Sequence, residues 1–153
     1  MKPFRSSLLG VADKLITLVL AACLVAAVGV TVYLAVSPKI GEKFTEFYLL
    51  GPGGKAAGYP TDLKVGESGT VIVGIVNHEY EDVYYKIVVR LDNITIAVID
   101  GIVLSHEAKW EKTYTFTPDK AGERLKLEFL LYREGVDEPY RSLHLWLRVR
   151  PSE

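Results

Sequence analysis

The chain of 153 residues carries 18 Lys and Arg against 19 Asp and Glu, a formal net charge of −1, with 49% hydrophobic residues and one cysteine. A balance so close to neutral lacks the basic excess of a nucleic-acid-binding protein, and one cysteine cannot build a disulfide framework. The apolar residues are spread unevenly, and that unevenness divides the chain.

Residues 1–14 read as a short cytoplasmic leader. From Leu15 to Val36 follow 22 residues without a charge, bounded by Asp13 and Lys14 before and by Ser37, Pro38 and Lys39 after. A helix of that length rises about 1.5 Å per residue and reaches roughly 33 Å, enough for a hydrocarbon core of about 30 Å. The stretch predicts one transmembrane helix over 15–36. A cleaved secretory signal has an apolar region of only about 7–15 residues, although Ala21, Ala22, Ala26 and Ala27 supply the small residues that cleavage needs. A soluble core helix would carry a polar face, where this run offers only Thr17 and Thr31. Lys2, Arg5 and Lys14 precede the helix with only Asp13 against them, whereas Lys39 and Lys43 on the far side are accompanied by Glu42. The positive-inside bias then puts the N-terminus in the cytoplasm and the C-terminal domain outside, as a single-pass protein of the cell membrane.

Residues 37–43 form a linker, and from Phe44 the apolar period changes from helical to alternating. Phe44–Leu50 supplies a first strand. Gly51-Pro52-Gly53-Gly54 and Gly58-Tyr59-Pro60 frame a long, nearly strandless loop, 51–66. Thr70–Val76 is apolar on both faces and reads as a central strand, with a bulge at Gly74. In the next strand Val83, Tyr85, Ile87, Val89 and Leu91 point one way and Tyr84, Lys86, Val88 and Arg90 the other. Asp92-Asn93 is a hairpin signal, Ile94–Ile99 a strand, and Asp100-Gly101 a second hairpin signal. Trp110, Tyr114 and Phe116 alternate with threonines. Leu125, Leu127, Phe129 and Leu131 alternate with Arg124, Lys126, Glu128 and Tyr132, and Leu143, Leu145, Leu147 and Val149 with His144, Trp146, Arg148 and Arg150. Seven or eight short antiparallel strands with no amphipathic helix predict an all-β, immunoglobulin-like β-sandwich over 44–150, without the disulfide of antibody domains. Such a domain folds without a cofactor.

The string Phe44-Thr-Glu-Phe-Tyr-Leu-Leu-Gly-Pro-Gly-Gly-Lys-Ala56, with Val71-Ile-Val-Gly-Ile-Val-Asn-His-Glu79, Lys126-Leu-Glu-Phe-Leu-Leu-Tyr132 and Pro139-Tyr-Arg-Ser-Leu-His-Leu-Trp146, closely resembles the archaeal domain of unknown function DUF1616. The resemblance covers essentially residues 44–150. It implies an archaeal, membrane-associated protein whose outer β-sandwich is similar to cell-adhesion-related modules. It carries over no catalytic residue. Many members have several membrane spans before this domain, where this chain shows one.

Candidate chemistry is sparse. His78, His106 and His144 stand singly, with no spacing that sets two nitrogens on one metal. Asn77-His-Glu-Tyr-Glu-Asp82 is the densest acidic patch, but it lacks the glycine and spacing of a calcium loop and reads as a solvated turn. Ser68 does not sit in a nucleophile elbow, and Gly51–Gly54 lacks the helix and Lys of a phosphate loop. No catalytic, cofactor or metal site is therefore expected. Tyr84, Tyr132, His144 and Trp146 fall on the outer face, where they could stack on sugar rings or fill a partner's pockets. The plainer reading, that they cover the sheet under the 51–66 loop, weighs more. Asn93-Ile94-Thr95 is an N-glycosylation sequon on a turn. The expected object is a non-enzymatic protein held in the membrane. Its sandwich would meet other envelope or membrane proteins, or a second copy, with no nucleic acid or small-molecule substrate. The other readings are an accessory subunit of a membrane or envelope complex and a carbohydrate-binding surface module.

Overall fold

One helix, α1, runs unbroken from Lys2 to Val36. The computed structural model describes residues 2–37 and 41–152, and the chain divides into two compact units, Met1–Gly41 and Glu42–Glu153. Residues 2–14 of the expected leader are helical and continue into 15–36 without a break. Ser7–Val36 is long and apolar enough to cross a membrane, at a mean hydropathy of 2.7, and none of its most apolar stretch is buried. Thr17 and Thr31 donate their hydroxyls to the carbonyls of Asp13 and Ala27, each at 2.8 Å, so both polar side chains are satisfied within the helix. The expected linker lies partly outside the described residues.

The second unit contains eight strands: β1 (Phe44–Leu50), β2 (Asp62–Lys64), β3 (Gly69–His78), β4 (Val83–Leu91), β5 (Ile94–Leu104), β6 (Lys109–Phe116), β7 (Gly122–Arg133) and β8 (Arg141–Arg150). A three-stranded sheet, β1-β3-β6, faces a five-stranded sheet, β2-β8-β7-β4-β5. Alternation along the strands fills the space between them. Val71, Val73 and Ile75 from β3 meet Tyr85, Ile87 and Val89 from β4 and Leu127, Phe129 and Leu131 from β7, all at most 1% exposed. Tyr114 stands edge-on to Phe129 across the sheets at 5.8 Å. Each such apolar side chain contributes about 2 kcal/mol of burial.

Four details depart from the sequence reading. Residues 62–64 form a strand, and β2 pairs with β8 in parallel while every other pair is antiparallel. Only Leu63 of β2 is buried, so no period announces it. Asp100-Gly101 does not turn the chain. Tyr85 pairs with Ile102 and Ile87 with Ile99, so the dipeptide is a bulge inside β5, with Gly101 at φ +73 and its N–H bonded to Asp100 Oδ1 at 2.8 Å. Gly74, in contrast, pairs regularly with Tyr48 and Glu111 and is no bulge. The ring of Tyr48 lies across it, 2.1 Å from where a Cβ would stand, and the glycine is required by that close approach. Finally, the Asn77–Asp82 segment is not a solvated turn throughout, because Asn77 and Glu79 are buried.

Candidate outer-face site

Asn77 closes one end of the sandwich. Its side-chain amide donates to the carbonyls of Glu81 and Leu104 at 2.8 and 2.7 Å, and its oxygen accepts the N–H of Glu79 at 2.7 Å. That turn inserts Glu79 between the sheets. Its Oε1 accepts hydrogen bonds from Thr45 at 2.9 Å and Tyr140 at 2.7 Å, and Arg133 Nη1 lies 3.9 Å away. The hydroxyls of Thr45 and Tyr85 are 2.8 Å apart. Burial pushes the Tyr85 and Tyr140 hydroxyls up, and the Glu79 charge adds to the rise of both. A carboxylate so engaged is a bolt between β1 and β7, with Thr45 passing the link on to Tyr85 of β4.

Beside it Phe44 stacks on His78 at 4.6 Å, and Tyr80 on His106 at 4.2 Å. Tyr80 sits at φ +61, a conformation that costs a non-glycine residue about 1–2 kcal/mol, and its N–H donates to His106 Nδ1 at 3.1 Å. His78 contacts Glu46 at 3.3 Å, and His106 contacts Glu107 at 3.5 Å. Among the described residues no group of three His, Cys, Asp or Glu could hold a metal.

The outer face of the five-stranded sheet is less closed. Alternation sends Tyr84, Lys86, Val88 and Arg90 outward from β4, Lys126, Glu128, Leu130 and Tyr132 from β7, and His144, Trp146 and Arg148 from β8. The 51–66 loop does not cover them: Tyr84 stays 51% and Trp146 43% exposed. The four aromatics do not converge either. Tyr132 lies opposite Lys86, whose ammonium sits 5.2 Å from the ring, and it lines with Tyr84 a cleft of about 340 Å3 that Asp100, Arg133, Glu134 and Asp137 also border. His144 and Trp146 form a separate pair, with ring centres 5.7 Å apart. Trp146 pairs with Lys126, six residues before Tyr132 on the same strand, which at about 3.4 Å per residue is about 20 Å away.

What the sequence reading passed over is the charge around those rings. The Arg124 guanidinium lies 4.4 Å from the Trp146 ring centre and the Lys126 ammonium 5.8 Å from it. Arg148 follows on β8, and Arg90 pairs with Glu128. The same alternation that put the aromatics outside put these cations there too. Asn93 occupies the exposed two-residue turn between β4 and β5, where Asp92 and Asn93 take φ +52 and +65.

Residues 38–148 match the family described as domain of unknown function DUF1616. Among solved structures, the chain is similar to the CARDB domain of the PF1109 protein from Pyrococcus furiosus, crystallised in complex with di-metal ions. The TM-score is 0.53 at 11% identity, over 72% of this chain and 96% of that one. A solution NMR structure of the same domain gives 0.53 at 13% identity, over 71% and 98%. At those identities the likeness establishes the immunoglobulin-like fold alone. A β-glucosidase from Listeria innocua in complex with glucose matches at a TM-score of 0.49 and 16% identity, over 71% of this chain and 16% of the enzyme. No curated protein matches the chain.

Proposed function

The chain belongs to the DUF1616 family, and from that premise we propose that it is a non-catalytic, single-pass membrane protein whose β-sandwich stands outside the cell and binds a protein or polymer of the envelope. The observation that carries this reading is the exposure of α1. Sixteen of its large apolar side chains, Leu18, Leu24 and Val25 among them, are more than half exposed, while the sandwich keeps a closed core of its own. At about 2 kcal/mol each, returning those side chains to water costs on the order of 30 kcal/mol, and lipid removes that cost. Lys2, Arg5 and Lys14 set the orientation, with the N-terminus in the cytoplasm.

The sandwich then works by its surface. Glu79 and Asn77 in its interior are bonded to their own neighbours, and the exposed Tyr84 and Trp146 share one sheet face with the cations. Partners are envelope or membrane proteins or polymers, with no nucleic acid and no small-molecule substrate. Asn93, on its exposed turn, is the acceptor of an N-linked glycan, and a mass shift lost in Asn93→Gln tests that assignment.

Protease shaving of intact cells tests the placement. Digestion of the domain on intact cells supports it, and survival until lysis reverses the topology. Crosslinking native membranes and identifying what accompanies the full-length chain tests the role. Recovery of envelope components supports the reading, whereas co-purification with a stoichiometric set of membrane-enzyme subunits would make the chain an accessory subunit instead.

A further inference from the structure

The domain beyond residue 38 is acidic: removing Lys2, Arg5, Lys14 and Asp13 from the totals leaves 15 basic and 18 acidic residues. One of its faces is not. Outward positions on β4, β7 and β8 hold Lys86, Arg90, Arg124, Lys126, Arg148 and Arg150, against Glu128 among them, Glu123 beside Arg148 and Asp62 of β2 beside Arg150. Their partners are few and weak. Lys126 Nζ is 3.8 Å from Glu128, and Arg148 reaches the highly exposed Glu123 at 3.2 Å. Five of the six cations gather at one end of the face. Arg124 and Lys126 are two residues apart on β7, about 7 Å, with Arg148 on β8 about 5 Å from Arg124 and Arg90 on β4, which faces Glu128, about 9 Å diagonally from Lys126. Trp146 lies under two of them and holds Arg124 and Lys126 over its ring, which lowers the entropy lost when they engage an anion.

From this charge segregation we infer that the Arg90, Arg124, Lys126 and Arg148 patch, organised by Trp146, binds a carboxylated polysaccharide of the cell envelope. The inference rests on the surface placement proposed above and adds the ligand class. Cations recurring every few ångströms along and across the strands match a polymer that repeats its charge once per sugar, rather than a single small anion. A bilayer surface is a poorer match, because Ile94, Ile96, Val98 and Val103 stand on β5 and the exposed ring among the cations, Trp146, is covered by Arg124 and Lys126. Single-stranded nucleic acid asks for free aromatic platforms in succession. Here cations occupy the Trp146 ring, and Tyr84 and Tyr132 lie at the other end of the face.

The test uses the full chain in nanodiscs of zwitterionic phosphatidylcholine, with hexagalacturonate and maltohexaose as probes. Hexagalacturonate is expected to bind and to weaken about tenfold when NaCl rises from about 0.05 M to about 0.5 M, while maltohexaose is not bound. Arg124→Ala with Lys126→Ala should cost about tenfold in affinity, and Trp146→Ala about threefold with partial recovery in Trp146→Phe. Lys112→Ala, on the other sheet, should change nothing. Equal binding of maltohexaose, full binding by the double variant, or binding only to phosphatidylglycerol vesicles or a single-stranded oligonucleotide overturns the inference. Shaving separates the two claims. A domain digested on intact cells that ignores hexagalacturonate sinks the ligand and leaves the surface role, whereas a protected domain that binds it sinks the placement.

Discussion

The two sheets of the sandwich treat their outer faces differently. On the three-stranded sheet polar side chains satisfy one another: Tyr48 donates to Glu111 at 2.6 Å, Glu111 meets Lys109 at 3.0 Å, and the Thr70 and Thr115 hydroxyls are 3.1 Å apart. The Glu111 bonds hold its carboxyl below the usual range. Burial, helped by Glu111, pushes the Tyr48 hydroxyl up to about 12. On the five-stranded sheet the cations outnumber the carboxylates and lean on aromatic rings. A face whose polar groups are spent on each other serves the fold, while one that leaves charge over keeps it for something else.

The largest expected effect comes from severing what joins the two sheets. Glu79→Ala leaves Thr45 and Tyr140 without their common acceptor and Arg133 without its nearby counter-charge, and should destabilise the domain by about 3 kcal/mol in chemical denaturation. A loss below about 1 kcal/mol would show that the sheets are held by apolar packing alone. Next is Gly74→Ala, which must displace the Tyr48 ring from the closed face and so cost about 2 kcal/mol. If Tyr48 swings aside freely, the melt will not move.

Tyr48→Phe probes the same face through pH. A phenol that holds its proton more tightly when folded adds nothing below the unfolded value of 10.0, and costs folding free energy as pH rises from there to about 12. Wild type should therefore lose stability more steeply than Tyr48→Phe across that interval. The variant keeps a residual slope from Tyr85, Tyr114 and Tyr140, whose hydroxyls burial also raises. Identical alkaline slopes would mean that the closed face is open to water. The smallest effect belongs to the other sheet: Arg124→Ala should change stability by less than about 0.5 kcal/mol, since its guanidinium is exposed. A large loss there would make the basic face structural and erase the contrast.

Much of this was legible before folding. β3, β4, β7 and β8 announce themselves by buried positions two residues apart, whereas β6 buries only Phe116. β2 has only Leu63 and no period to show. Asp100-Gly101 misleads because the backbone that turns a hairpin also makes a bulge, and only pairing to β4 distinguishes them. Glu79 misleads more deeply: in sequence it is one carboxylate among three in a polar turn, and its burial depends on Thr45, Arg133 and Tyr140 arriving from far along the chain. The outer aromatics were readable as a set, yet their split into two pairs about 20 Å apart needed the register.

The bulge in β5 has a further consequence. This strand forms one border of the larger sheet, and Ile94, Ile96, Val98 and Val103 on it are exposed. Chains tethered in a membrane meet in two dimensions, where crowding favours the zipping of one such border onto another. One extra residue at Asp100-Gly101 and one more before Ala97 put β5 out of step twice in 11 residues, which breaks any continuous ladder along it. The irregularity that looked like a turn in the sequence thus blunts this border of the sheet against edge-to-edge pairing.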